Sequence, residues 1–220
     1  MRTIALIPAR GGSKRLPNKN IKMLDGLPLL VHSINFALLN KDIIDDVFVS
    51  TDSDVIKQVA LEYGAKVIDR PEALSGDLEP TISTLKHALS LIDNVDDIVL
   101  IQPTNPLRPD GLLQEAYKIY KEHKLESLFT VSRNADKLGK IIDNKFQPFN
   151  YSIGQRSQDL ESLYYENGLL YITKASLIKK DIIFNKNTYP LVVNHKFAEV
   201  DIDTQDDIDY AEYLLKKHNE

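Results

Sequence analysis

The first two thirds of the chain alternate short apolar runs with amphipathic stretches. Thr3 to Ala9 is almost wholly apolar and predicts a buried strand. A long polar loop, Arg10 to Asn20, follows it. Leu29 to Leu39 carries apolar residues at helical spacing, with Pro28 at the start, where a missing N–H costs little. Asp46 to Ser50 predicts a second strand. Ser53 reads as the N-cap of a helix over Asp54 to Tyr63, and Gly64 as its stop. Ala65 to Ile68 predicts a third strand. Helices over Pro80–Ile92 and Gly111–His123 flank a central strand at Asp97–Gln102, and Leu128–Ser132 predicts another strand.

From about Ala135 to Tyr165 this alternation stops, and charges, amides and scattered aromatics replace it. Leu169–Thr173 and Leu191–Val193 predict two further strands. Gln205 to His218 predicts a last helix, with Thr204 as N-cap and acids in its first turn, which suits the helix dipole. Strand and helix in alternation predict an α/β fold with parallel strands and right-handed crossovers. Ligands of such sheets sit beyond the carboxyl ends of the strands. The polar loop after the first strand is therefore the first place to look for chemistry.

Composition narrows the possibilities. At 220 residues the chain reads as a single domain, residues 1–220, with a small insert. It has no cysteine, which removes disulfides, thiolate metal sites and a cysteine nucleophile. Its net charge of −5 argues against a nonspecific nucleic-acid binder, which needs a basic surface. A local basic pocket for a small anion remains compatible with that charge. No apolar run is long enough for a membrane span, and the first one is too short for a signal peptide. The expectation is a cytoplasmic protein with no membrane partner.

Three stretches carry candidate chemistry. The loop after the first strand holds Arg10, Lys14, Arg15 and Lys19 with Gly11, Gly12 and Ser13, and no acid. Glycines admit close backbone approach, and successive N–H groups can form an anion nest. The loop suits a triphosphate, although it is neither a P-loop nor a dinucleotide fingerprint. A solvated basic loop is the alternative. Asp201 and Asp203, if extended, point to one face, and two hard carboxylates suit Mg²⁺ with substrate phosphates. Capping of the last helix is the alternative. Gln102-Pro103-Thr104-Asn105-Pro106-Leu107-Arg108 offers a rigid turn with uncharged hydrogen-bonding groups, suited to a sugar or base, or is a plain strand-to-helix connection. The five histidines show no metal-ligand spacing, and His32 and His87 read as structural.

Taken in order, Ile7-Pro8-Ala9-Arg10-Gly11-Gly12-Ser13-Lys14, Leu16-Pro17-Asn18-Lys19-Asn20, Ser50-Thr51-Asp52, Arg70-Pro71, the Gln102–Arg108 stretch, Asn167-Gly168 with Tyr171, and Asp201-Ile202-Asp203-Thr204 span almost the whole chain. In these landmarks the chain resembles the acylneuraminate cytidylyltransferases. The resemblance implies a Rossmann-like, mostly parallel sheet flanked by helices, of the nucleotide-diphospho-sugar transferase type. It implies transfer of CMP from CTP to the anomeric hydroxyl of a nine-carbon sugar acid, with Mg²⁺ as cofactor and pyrophosphate released. Ala9, Arg10, Gly11, Ser13, Lys19, Asn20, Arg70 and Thr81 would hold the nucleotide, with Arg10 and Lys19 offsetting charge on the leaving pyrophosphate. Gln102, Lys140, Arg156 and Tyr171 would face the sugar, Lys137 competing with Lys140 for its role. Asp201 and Asp203 would hold the metal, or one of them would take the proton.

Some positions depart from the family pattern. Arg15 stands where many members have Gly, Thr81 where Ser is usual, and Tyr165-Glu166 where sialic-acid enzymes often carry Arg. The last of these lies in the sugar half. The resemblance further implies that an insert over about 137–189 makes a homodimer and reaches over the partner's site. Phe146, Phe149, Tyr151, Ile153 and Phe184 would then be covered by the partner, the alternative being that they pack under their own sheet. Rival readings are a sugar-nucleotide-dependent glycosyltransferase, which also uses an Asp-x-Asp metal pair, and a noncatalytic nucleotide-binding module.

Overall fold

A computed structural model describes residues 1–218. In chain order the elements are β1 (Thr3–Pro8), β2 (Met23–Leu24), β3 (Leu27–Pro28), α1 (Leu29–Leu39), β4 (Asp46–Thr51), α2 (Asp54–Glu62), β5 (Lys66–Asp69) and α3 (Thr81–Leu91). There follow β6 (Asp97–Leu100), α4 (Leu112–Glu122), β7 (Ser127–Asn134), β8 (Gly139–Ile142), β9 (Lys145–Pro148), β10 (Leu163–Lys174), α5 (Ala175–Ile178), β11 (Tyr189–Val192) and α6 (Gln205–His218).

Seven strands form one sheet in the order β11-β7-β10-β6-β1-β4-β5. β10 alone runs antiparallel to its neighbours, so the sheet is mostly parallel, as the alternation predicted. The strands alternate their side chains between two apolar layers. Ala5 and Ile7 of β1 join Leu30 and Ile34 of α1, Ala60 of α2 and Leu113 of α4 on one face. Ile4 and Leu6 join Leu85 of α3 and Ile178 of α5 on the other. Ile208 and Leu214 of α6 pack with Leu16, Leu24 and Ile202, which anchors both the basic loop and the Asp201–Asp203 stretch to one small core.

The local signals act as read. Ser53 Oγ accepts from the Ile56 N–H at 3.5 Å and caps α2. Gly64 takes φ +84, a left-handed turn that a glycine adopts without strain. β6 ends at Leu100, short of the predicted Gln102. β10 is longer than expected because it runs through a register shift between Glu166 and Tyr171.

The insert differs most from expectation. β10 and β11 are full members of the sheet, so residues 163–174 and 189–192 do not belong to a projecting arm. Phe184 stacks on Phe129 at 4.9 Å and so packs on its own sheet. What leaves the sheet is residues 135–162, including the β8–β9 hairpin. Phe146, Phe149 and Ile153 lie exposed there.

Candidate active site

β1 leads to α1 and β4 on one side, while β6 lies on its other side. Strand order thus reverses between β1 and β6, the place where open α/β sheets form a ligand crevice. A cleft of about 590 Å³ opens there. Pro8 and Arg10 from the end of β1, and Gln102, Pro103 and Thr104 from the end of β6, form part of its wall. The two prolines after β6 cannot donate to a ladder, so the chain leaves the sheet and its polar groups turn to the cleft.

All four loop cations, Arg10, Lys14, Arg15 and Lys19, line this cleft with Ser13 and Asn20. Asn20 is buried, and its Nδ2 donates to the Arg10 carbonyl at 2.9 Å, which folds the loop back on itself. The cations are not solvated singly. Arg10 lies 2.7 Å from Asp77, and Lys14 pairs with the same carboxylate. Those two partners hold the Asp77 carboxyl below its ordinary range, Lys14 first. Lys19 donates to Asp203 Oδ1 at 3.0 Å and to the Ile202 carbonyl at 2.8 Å, and Arg15 reaches Asp203 at 2.6 Å.

The anion nest expected of the glycines is mostly used up. The Ala9 N–H donates to Ser50 and the Gly11 N–H to Asp52 Oδ1, so neither residue faces the cleft. The Ser13 N–H donates to the Gly11 carbonyl. Charge for an anion in this cleft comes from the side-chain cations. A Cβ on Gly11 would lie 3.0 Å from Ser53 Cβ, which explains the glycine by close packing on the turn after β4.

The cleft's other wall holds Arg70, Thr81 and Thr84. Arg70 is buried and donates from Nη1 to Thr84 Oγ1 at 3.0 Å. Its Nε and Nη2 are buried with no hydrogen-bond partner, and Asp52 lies 3.9 Å from Nη2. Burial pushes the Arg70 pKa down, with Asp52 opposing and Arg10 adding to the fall. Two buried donors with nothing to hold are costly, and both belong to a side chain lining the cleft. Thr84 was not singled out from the sequence, although it sits one helical turn after Thr81. Asp77 was missed as well, because nothing local links it to Arg10.

Gln102 lines the cleft, and its carbonyl accepts from Arg108 Nη2 at 2.8 Å. Arg108 also donates to the Leu169 carbonyl and to Ser33 Oγ, and lies over the Phe36 ring. Burial lowers its pKa to about 9, which leaves it charged at neutral pH. Tyr171 does not line the cleft. It sits opposite Leu100 in the β10–β6 pairing, stacks on Phe129 and Phe184, and donates to Glu166 Oε2 at 3.1 Å. Burial first, then the Glu166 charge, pushes its pKa up. Lys140 and Arg156 lie on the 135–162 segment, away from the cleft of their own chain. Lys140 sits over Phe149, and Arg156 pairs with Asp159.

The capping alternative for Asp201 and Asp203 does not hold. α6 is capped by Thr204 and Asp207, whose side chains accept from each other's backbone N–H. Asp207 Oδ2 also takes the Asp203 N–H. The two earlier carboxylates are left for other work. Asp203 lines the cleft. The Asp201 pKa is raised, by desolvation first and also by the Asp203 charge, with Thr104 and Lys19 opposing. A divalent cation relieves that repulsion, and hard oxygen donors are what Mg²⁺ takes. No cluster of three or more metal-ligating side chains occurs among the described residues. Both carboxylates are hard oxygen donors, and only Asp203 lines the cleft, where it is paired with Arg15 and Lys19. An ion held between them would complete its shell with substrate phosphates and water.

Comparison with known proteins bears on the family and the fold. A family profile described as Cytidylyltransferase matches residues 4–219. The chain is 34% identical over 215 residues to an N-acylneuraminate cytidylyltransferase of Streptococcus agalactiae serotype V, covering 94% of this chain and 52% of that protein. It thus spans about half the length of that relative. It is 31% identical over 231 residues to a pseudaminic acid cytidylyltransferase of Campylobacter jejuni, covering 100% of this chain and 99% of that one. Among solved structures, a CMP:2-keto-3-deoxy-manno-octonic acid synthetase complexed with CTP superposes with a TM-score of 0.73 at 15% identity, covering 99% of this chain and 100% of the other. That likeness supports the fold. No helix among the described residues is long and apolar enough to cross a membrane.

Proposed function

This chain belongs to the cytidylyltransferase family, and we propose that it transfers CMP from CTP to the anomeric hydroxyl of an N-acylneuraminate-type nonulosonic acid. The hydroxyl oxygen attacks the α-phosphorus and gives its proton to a base, Asp201 or Asp203 or solvent, while the bond from the α-phosphorus to the oxygen bridging it to the β-phosphate breaks and pyrophosphate leaves. The observation that carries the reading is the cleft at the strand-order reversal. It gathers four loop cations, Arg15 and Lys19 paired with Asp203 and Arg10 and Lys14 with Asp77, with two unsatisfied Arg70 donors in its opposite wall.

Arg10, Lys14, Arg15 and Lys19 bind the triphosphate and offset the charge that grows on the leaving group. Arg70, with Thr81 and Thr84 beside it, reads the base through its free Nε and Nη2. Gln102 holds the sugar, and Arg108 fixes Gln102 by its carbonyl. Asp201 and Asp203 hold Mg²⁺, which would neutralise phosphate charge and lower the pKa of the attacking hydroxyl. Because Lys19 and Arg15 already engage Asp203, phosphate and carboxylate share the same cations. The four cations together with a metal balance both.

Lys140 and Arg156 serve the sugar of a second subunit in a homodimer. Exposed Phe146, Phe149 and Ile153 on the same segment supply an apolar surface for that contact. A cytoplasmic enzyme would meet CTP directly. The test is pyrophosphate release with CTP, Mg²⁺ and a panel of N-acetylneuraminic, legionaminic, pseudaminic and 3-deoxy-octulosonic acids, with products identified by mass. Release with a nonulosonic acid and formation of its CMP conjugate are expected. Release of UDP or GDP from a nucleotide sugar without CTP would overturn the reading in favour of a glycosyltransferase.

A further inference from the structure

We infer that Asn105 is a positioning residue for the transfer, holding the Asp201–Asp203 segment against the cleft wall that begins at Gln102 and anchoring both to β10. The inference rests on the function proposed above. Asn105 is buried, and its Nδ2 donates to two carbonyls at once, Asn167 O and Val200 O, each at 3.0 Å. Its Oδ1 accepts from Thr104 Oγ1 at 3.1 Å. One amide thus ties three segments that are distant in sequence.

Two of the tied segments bear on the cleft, and β10 anchors them. Val200 immediately precedes Asp201, and the next turn of that segment is fixed to the same loop by Ile202 N–H donating to Thr104 O at 2.7 Å. Asn167 lies in the register shift of β10. There its own amide is held by Thr130 Oγ1 at 2.6 Å and Ser132 Oγ at 3.0 Å. This irregularity brings Glu166 and Tyr171 into contact at 3.1 Å although they are five positions apart. The third segment begins at Gln102, in the cleft wall.

The side-chain chemistry is restrictive. An Asp at 105 would set a carboxylate against two carbonyl oxygens. Ala or Ser would leave both carbonyls without their donor. Gly168, at φ +72, lies so close that a Cβ there would collide with Asn105 Oδ1. In-line attack tolerates little misplacement, so loosening the carboxylate segment from the Gln102 wall reaches the chemical step.

The experiment uses the full chain with Asn105→Asp, Asn105→Ala and Gly168→Ala. Ser127→Ala is the control, since it breaks a buried side-chain pair with Thr188 that ties no site segment. Readouts are kcat and KM from pyrophosphate release, thermal melting, and Mn²⁺ binding with CTP present, followed by electron paramagnetic resonance. The Asn105 and Gly168 variants are expected to lose about 100-fold in kcat with little change in KM for CTP. Their Mn²⁺ affinity is expected to fall about tenfold. Ser127→Ala should lower only the melting temperature. Folded Asn105 and Gly168 variants with unchanged kcat and Mn²⁺ affinity would overturn the inference, as would a Ser127→Ala profile that matches theirs. If the unsubstituted chain releases no pyrophosphate, the function proposed above has failed, and the Mn²⁺ comparison still decides the role of Asn105.

Discussion

Arg10 Nη1 lies 2.7 Å from Asp77 Oδ1. Asp77 comes from the loop between β5 and α3, and it also holds Lys14. Two of the four cations proposed to bind the triphosphate are therefore engaged by an acid of the same chain that lines the same cleft. A triphosphate entering the cleft must take those cations from Asp77.

Replacing that acid tests the competition. Asp77→Asn removes the charge and keeps the shape. It is expected to lower KM for CTP by about two- to fivefold, the scale of an exposed ion pair, and to leave the melting temperature unchanged. Initial rates against CTP concentration check it. An unchanged or raised KM would show that Asp77 serves to position Arg10.

Arg70 carries the cost of two buried donors, which the proposed nucleotide would relieve. Its Nε and Nη2 are buried without partners. Arg70→Met fills much of the same volume without the charge, and is expected to leave the ligand-free chain as stable or up to ~2 kcal/mol more stable. The same variant should raise KM for CTP about 10- to 100-fold, the effect of losing hydrogen bonds from a charged group. Urea melts with and without CTP give both quantities. A large loss of stability in the ligand-free variant would show that Arg70 is a structural residue.

These two residues also show what the sequence could and could not reveal. α1 and α6 were readable to their ends because their apolar spacing is helical and their flanks carry Pro28 and Thr204. Arg70 was readable from its landmark, but its unsatisfied donors depend on how α3 packs over β5. Asp77 was unreadable, since its partners lie on a loop brought near only by the sheet. β10 was read short because Tyr165-Glu166-Asn167-Gly168 lacks strand patterning. The register shift there is held by buried side chains from β7 and the Gln102–Arg108 stretch. Gly11 looked like a phosphate contact because its residue type permits one. The fold instead turns its N–H to Asp52.

Acid sensitivity has an identifiable contributor away from the cleft. Lys66 first, then Arg2, holds the Asp46 carboxyl below its ordinary pKa, with burial opposing. A depressed pKa in the folded state adds stability above the unfolded pKa, near ~3.9, and that stability is lost as pH falls through the folded value. The gap in urea midpoint between the parent chain and Asp46→Asn should therefore be widest near neutral pH. It should narrow from about pH 4 downward. A gap that stays constant with pH would assign the effect of the variant to something other than this charge.

Arg156 poses a question of which chain it serves. It is exposed, paired with Asp159, and not in the lining of the cleft that holds its own chain's Asp203. If each site draws Asp203 from one subunit and Arg156 from the other, two separately inactive variants can complement. Asp203→Ala is expected to abolish turnover, and Arg156→Ala to lose at least about tenfold in kcat/KM for the sugar acid. In an equal mixture formed by co-expression, half of the dimers are mixed, and each mixed dimer keeps one site with both residues intact. Recovery of about a quarter of the parent activity follows from that count. Pyrophosphate release from the co-purified mixture measures it. Activity no higher than the average of the two variants alone would place Arg156 outside the partner's site.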